Sequence, residues 1–310
     1  MQRPVVVGLD GSRESIAAAD WAAREALRRG LPLRLMHAWE GLPQDDGDAE
    51  LPELRAPQYH ARRVLRAAVE RLNERYPQLY IAAEQVRMQP GPALLAEAEN
   101  AELLVIGSQG FGGVGGFMSG SVAMATVAHV ERPVVLVRAG ETAADEHLPD
   151  GSEKASARTP YRDVAVAVDI DGPCDEVLDF AFRAAELRHA PLRAVHAWHV
   201  PLTRPVPGVE ERALIRAEAE RELTALLEPW RAKYPDVNVR ENLHEGRAAH
   251  VLVRAASGAG LLVVGHSRRR AAVGSHTGPV AHALIHHVNR PIALVPHARR
   301  PRTASADGDR

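Results

Sequence analysis

Lysine is nearly missing from this chain: of 38 basic residues only Lys154 and Lys233 are lysine. With the many alanines, this reads as the imprint of a GC-rich genome, not as a functional signal. Cysteine is limited to Cys174, which excludes an intrachain disulfide and fits a reducing cytosol. Cys174 stands at an expected helix start, where a thiol pKa can fall, but a passive small residue is the simpler reading. No apolar run approaches the roughly 20 residues of a membrane span. Met1 leads directly into Val5-Val6-Val7, which leaves no room for a signal peptide, so the expected location is cytoplasmic. A net charge of −2 argues against a nucleic-acid scaffold or a polybasic membrane binder. What is present, 45% hydrophobic and 25% charged residues over 310 positions, describes a globular chain long enough for two domains.

The first half alternates strand and helix signals. A buried-type strand at 4–9 ends in Asp10-Gly11-Ser12, and 15–29 carries Ile16, Ala19, Ala23 and Leu27 at helical spacing before Gly30. A second strand is predicted at 33–39. A polar, proline-containing segment at 41–57 follows, then a long helix presenting Val64, Leu65, Ala68 and Leu72 and ended by Pro77. A strand at 80–87, a short helix at 92–99, a strand at 103–106, a helix at 121–130 and a strand at 133–137 complete the unit. Five strands separated by helices predict a parallel sheet covered on both faces.

Residues 139–162 are polar and read as a linker, after which the pattern restarts. Asp169 follows Asp10 by 159 residues and His196-Ala197-Trp198 follows His37-Ala38-Trp39 by the same offset. Tyr234-Pro235, Leu262-Val263-Val264-Gly265 and the strand opened by Arg290-Pro291 repeat earlier segments at an offset of 158. A near-constant offset over five landmarks is an internal duplication of a domain-sized unit. The predicted domains are 1–140 and 161–298, joined by a linker at 141–160 and followed by a disordered tail at 299–310.

The first copy is organised around the stretch from Gly107 to Ser121, which follows the fourth strand and opens a helix. Gly110, Gly112, Gly113, Gly115, Gly116 and Gly120 make it a candidate anion cradle, because glycine lets backbone N–H groups turn toward a phosphate and a helix N-terminus favours negative charge. Ligands of open parallel sheets bind at the carboxyl ends of strands where the order reverses. If strands one and four are neighbours, Asp10 and the glycine loop share one crevice; Asp10 as a helix cap or turn residue is the competing reading. A Walker loop is excluded by the absence of lysine before Ser121. Gly110 to Gly115 fits the dinucleotide glycine pattern, but after the wrong strand and with no acidic residue placed for a ribose.

The spacing Gly107, two residues, Gly110, nine residues, Gly120-Ser121 resembles the nucleotide-binding members of the universal stress protein family. The aspartate ending strand one, the His-Ala-Trp of strand two and the Arg-Pro-Val-Val-Leu-Val last strand extend the resemblance over both copies. It implies an α/β fold: two tandem adenine-nucleotide α-hydrolase-like domains, each a five-stranded parallel sheet of order 3-2-1-4-5. It further implies ATP as ligand, with Mg2+ as a candidate companion. Asp10 and the backbone around Ala38 would lie at the adenosine, and Gly107, Gly110, Gly120, Ser121 and Val122 at the phosphates.

The second copy departs from the pattern. Arg268 replaces the second glycine and Pro279 the serine, which adds bulk and removes a hydroxyl and an N–H donor. Weak or no ATP binding is predicted there; Arg268, Arg269 and Arg270 read as a solvated basic loop, with another anion as the alternative. His282 and His286 share a helix face and His276 is the candidate third ligand, but no carboxylate or cysteine is placed to strengthen a metal site, and none is predicted. No nucleophile–base pair surrounds the glycine loop, and His37 and His196 read as packing residues, so no catalytic residue is assigned.

The leading expectation is an ATP-binding regulator of the stress response without efficient catalysis. The alternatives are a slow magnesium-dependent ATPase or phosphoryl or nucleotidyl transferase, and an interaction module for which nucleotide is incidental. The apolar last strands at the sheet edges predict an internal pseudo-dimer of the copies, and whole chains are expected to form a homodimer.

Overall fold

The computed structural model describes residues 2–40, 52–109, 121–199, 208–267 and 277–297. The predicted tail at 299–310 lies outside the described residues. Copy one runs β1 (Val5–Gly8), α1 (Arg13–Arg29), β2 (Leu33–Trp39), α2 (Pro52–Arg75), β3 (Ile81–Arg87), α3 (Pro90–Glu99), β4 (Leu103–Ser108), α4 (Ser121–His129) and β5 (Val134–Arg138). Copy two runs β6 (Val164–Ala167), α5 (Asp175–Glu186), β7 (Leu192–Trp198), α6 (Val209–Lys233), β8 (Val239–Glu245), α7 (Ala248–Ser257), β9 (Leu261–Ser267), α8 (Pro279–His287) and β10 (Ile292–His297).

The ten strands of the described residues lie in one sheet, in the order β3-β2-β1-β4-β5-β10-β9-β6-β7-β8. Each copy therefore has the order 3-2-1-4-5 with parallel neighbours, and β1 and β4 are adjacent, as the crevice requires. The copies meet where β5 and β10 pair antiparallel, Leu136 opposite Ile292 and Val134 opposite Leu294. This is the contact that the apolar last strands predict. Because both sheet faces are covered, the central strands bury consecutive Val and Leu residues. The core crosses the seam on both faces. Val135 and Val137 share one cluster with Ala293 and Val295, and Leu136 shares the other with Ile292 and Leu294.

Local chemistry fixes the helix starts. Ser12 caps α1 by accepting from the Ser15 N–H at 3.1 Å, and Gly30 closes it in the left-handed conformation. Three expected boundaries shift. α2 starts at Pro52, so Pro57 lies inside it and not in the segment before it. A proline near a helix start removes one backbone bond, and burial of Ala61, Leu65 and Leu72 holds the rest. α3 starts at Pro90, a residue suited to the first helical position. β4 runs on to Ser108 because β5 pairs with it as far as Arg138.

The duplication is visible in side-chain chemistry. Asp20 on α1 accepts from Arg75 at 2.7 Å and meets the Tyr76 hydroxyl at 3.4 Å. Asp179 on α5 accepts from Lys233 and from Tyr234, at 3.0 Å for the latter. In each copy an aspartate of the first helix thus clamps the end of the second. The seam is pseudo-symmetric as well: Arg29 lies 5.1 Å from the ring of Phe180, and Arg188 lies 6.0 Å from the ring of Trp21.

One carboxylate breaks that symmetry. Glu25, fully buried, accepts from Arg29 at 2.7 Å, Arg188 at 2.6 Å and Arg28 at 3.1 Å. Burial alone would raise its pKa, but Arg188, Arg29 and Arg28 hold it far below the ordinary value. The segment between the copies joins the same network. It forms a one-turn 3-10 helix (Ala143–Glu146), and the buried Glu146 accepts from Arg24 at 3.0 Å and from Arg28. The first part of the segment, with Glu141, Glu146 and His147 buried, is therefore packed against the seam, whereas most of 149–158 is exposed. Glu141 in this segment is buried too, and burial beside Asp145 and Glu146 pushes its pKa up to about 8.

Candidate functional site

The carboxyl ends of β1, β2 and β4 open into a cavity of about 290 Å³ in copy one. That is near the lower end of ligand-site volumes, roughly 300–1,000 Å³. Its walls are mostly apolar, with Met36, Leu94, Ile106 and Ala123. Its polar groups are Asp10, Ser12, Ser15 and Gln109, with His37 also on the wall. Four of the sequence-predicted site residues, Asp10, Ala38, Gly107 and Val122, line this one space. Gly110 and Gly120 lie outside the described residues. Ser121 is the first residue of α4, directly before Val122.

Each residue is held there for a local reason. Asp10 Oδ1 accepts from the Ser12 N–H at 2.9 Å, a side-chain turn that bends the chain from β1 into α1. Burial would raise the Asp10 pKa, but the hydrogen bonds from Ser12 and Ser15 outweigh it and leave the carboxyl below its ordinary value. It is thus ionised at neutral pH and able to accept from a ribose hydroxyl or an amine. The turn reading and the binding reading of Asp10 are therefore compatible, since one oxygen makes the turn.

Gly107 has a packing reason to be glycine. A Cβ there would stand 2.6 Å from the Glu14 carbonyl carbon and the Ser15 nitrogen, inside the backbone of α1. It lets α1 lie directly on β4 and brings the Ser12–Ser15 turn to the cavity mouth. The N-terminus of α4 meets the same space through Val122 and Ala123, so its free N–H groups and positive dipole end border the cavity.

His37 faces His60 of α2 edge-on, with ring centroids 5.8 Å apart. Burial and then His60 lower its pKa, against the opposing pull of Asp10 and the Leu9 carbonyl, so it is neutral at pH 7. Among the described residues that line the cavity there is one carboxylate and neither lysine nor arginine.

The corresponding place in copy two is built differently. Asp169 accepts from the Asp171 N–H at 3.3 Å, and its other oxygen lies 2.8 Å from where a Cβ on Gly172 would be. Gly265 faces the His297 ring and Val177, not a helix backbone. Pro279 is the first residue of α8, so the donor lost to proline is lost at the helix start, as the sequence indicates. His196 Nδ1–H donates to the Val168 carbonyl at 2.9 Å, in keeping with a packing role. Arg268, Arg269, Arg270 and His276 lie outside the described residues. His282 and His286 meet at 4.5 Å between ring centroids. Among the described residues no group of three potential ligands is disposed to hold a metal.

Two features had no clear sequence signal. Glu25 precedes Arg28 and Arg29 at helical spacing, which reads as a surface ion-pair pattern, whereas it is buried and shared with Arg188. Arg138, at the end of β5, joins Ser108 to copy two, and only the register of the seam shows it.

A parallel sheet of order 3-2-1-4-5, duplicated, with a crevice at the carboxyl ends of strands one and four, defines a tandem α/β architecture with helices on both faces of the sheet. The model of the universal stress protein family matches residues 1–138 and 160–296, and the chain belongs to that family, with two such domains in tandem. A universal stress protein of Mycobacterium tuberculosis strain H37Rv is 32% identical over 302 residues, covering 94% of this chain and 97% of that one. One from Mycolicibacterium smegmatis is 36% identical over 312 residues, covering 96% and 97%. A solved universal stress protein from Archaeoglobus fulgidus shares the fold at a TM-score of 0.69 and 14% identity, over 96% of this chain and 99% of that one. Among the described residues no helix is long and apolar enough to cross a membrane.

Proposed function

We propose that copy one binds ATP and that the chain acts as a nucleotide-responsive regulator in the stress response, without efficient turnover. The observation that carries this reading is the convergence of Asp10, Ala38, Gly107 and Val122 on one apolar-walled cavity bordered by a helix N-terminus. A flat base suits the walls of Met36, Leu94 and Ile106. Asp10 would accept from the sugar or the base edge, and the start of α4 would face the phosphates together with Gly110, Gly120 and Ser121. Mg2+, where present, would be held by the phosphates; Asp10 is the one carboxylate among the described wall residues that could join them as a ligand. With neither lysine nor arginine on the described wall, charge developing on a transferring phosphate has no protein cation to stabilise it, which disfavours fast hydrolysis. The reading includes cytoplasmic location and a homodimer of whole chains.

The test is the nucleotide released from purified, heat-denatured protein, followed by ATP titration. About one ATP per chain, lost on Gly110→Arg, is the expected result. Two per chain would show that copy two also binds. None, with no binding of added ATP, would overturn the reading and leave the interaction module. Magnesium-dependent turnover that vanishes in Asp10→Ala would favour the enzyme.

A further inference from the structure

Among the described residues Arg138 is an arginine with no acid to answer it. It ends β5 opposite Ser108 of β4, and its Nη1 donates to Ser108 Oγ at 3.3 Å. Its Nε donates to the Val288 carbonyl at 3.1 Å, and Nη2 donates to the Ile285 carbonyl. Both carbonyls belong to the last turn and cap of α8, in copy two. No carboxylate bonds it among the described residues, and burial alone lowers its pKa. The loop at 110–120, outside those residues, contains no Asp or Glu. A guanidinium on a helix C-terminus satisfies free carbonyls and complements the negative end of the dipole. The third bond is not part of that capping: it reaches the residue between Gly107 and Gln109, both on the cavity wall.

The device is one-sided. At the repeat offset of 158, the position of Arg138 is taken in copy two by Pro296, and that of Ser108 by His266. Proline has no side-chain donor, so the reciprocal bond from β10 to the end of α4 does not exist. The copy that keeps the glycine spacing is the copy whose β4 end, at Ser108, is tied across the seam.

We propose that Arg138 is a positioning residue through which copy two fixes the take-off of the copy-one loop, so that the second domain serves as scaffold for the first domain's ligand site. The inference rests on the ATP reading above. A fixed Ser108 holds Gly107 and Gln109 in the cavity wall before ligand arrives, and a wall that must be ordered on binding binds more weakly. Coupling also runs the other way: a ligand that orders Ser108 steadies the guanidinium and the last turn of α8.

The test uses the full chain with ATP as probe, in wild type, Arg138→Gln, Arg138→Lys and Ser108→Ala. Calorimetry reads affinity and amide exchange reads residues 284–292. Arg138→Gln is expected to weaken ATP binding about tenfold or more, the scale of a lost charge-assisted hydrogen bond, and to speed exchange at 284–292. Arg138→Lys should fall between, since one ammonium cannot span all three acceptors. Ser108→Ala is the deciding variant: it should weaken ATP while leaving the α8 end protected without ligand, and should abolish the extra protection that ATP confers there. A purely structural Arg138 would not produce that pattern. If Arg138→Gln does not fold, Ser108→Ala decides alone. Wild-type affinity in Ser108→Ala overturns this inference and leaves the ATP reading intact; no ATP binding by wild type overturns both.

Discussion

Copies one and two carry the same scaffold and different crevices. The clamp of Asp20 on Arg75 and Tyr76 recurs as Asp179 on Lys233 and Tyr234. Arg29 over Phe180 recurs as Arg188 over Trp21. At the carboxyl ends of the strands the likeness stops. Gly107 lies against helix backbone, whereas Gly265 lies against a histidine ring. α4 begins at Ser121 and α8 at Pro279. Duplication preserved the clamps that join helices and the ring contacts across the seam, while the surface above the sheet diverged. That separation is what a fold with its site grafted on loops allows.

The strongest way to break the comparison is to remove Glu25, a buried acid of the seam that copy two lacks. Glu25→Ala puts at position 25 the residue that copy two carries at the equivalent position 184. It leaves Arg29 and Arg188 buried, at 2% and 3% side-chain exposure, without their shared carboxylate. Removing one partner of a buried pair costs about 3–5 kcal/mol. Urea unfolding should show a loss on that scale, far above the cost of breaking the exposed Lys233–Asp179 pair by Asp179→Asn. A loss below about 1 kcal/mol would mean that the network does not hold the seam.

Next comes the glycine pair. Gly107→Ala drives a Cβ to 2.6 Å from the backbone of α1, so helix or strand must move. Gly265→Ala meets the His297 ring at 3.0 Å and Val177 at 3.2 Å, side chains that can turn away. Overpacking against fixed structure costs about 1–3 kcal/mol. Gly107→Ala should show that loss together with weakened ATP binding, and Gly265→Ala should show less loss and unchanged ATP binding. Equal effects would mean that the two crevices are the same site after all.

How far these differences were legible follows from what each one rests on. The parallel sheet and the β5–β10 contact follow from apolar runs and a repeat, because burial on both faces writes itself into consecutive Val and Leu residues, whereas the strand order comes from the family resemblance alone. The Asp10 turn and the loss of a donor at Pro279 are properties of single residue types, and were legible for that reason. Arg138, Glu146 and Arg188 were not, since each works through a partner more than 100 residues away that only the folded seam supplies. The polar composition of 139–162 reads as a linker for the same reason: its Glu146 answers buried arginines of α1, and no local pattern says so.

That segment gives the smallest prediction and a sharper form of the comparison, because it has no counterpart in copy two. Glu141 is pushed up to about 8 by burial, then by Asp145, with Glu146 adding and Arg290 and Arg24 opposing. Its ordinary value is 4.5, so the folded chain keeps a proton that the unfolded chain gives up between about pH 4.5 and 8. Unfolding therefore releases a proton over that window, and the contribution of this group to stability falls as pH rises. Glu25 runs oppositely: its depressed pKa stabilises above the unfolded value and is lost on acidification. Glu141→Gln keeps the shape and cannot ionise. It should match wild type near pH 4.5 and gain stability as pH rises, reaching about 1–3 kcal/mol by pH 8. Thermal melts at half-unit pH steps check it. A constant difference across that range would place Glu141 in water and detach the segment from the seam, whereas a widening one makes residues 139–162 part of the fold that joins the copies.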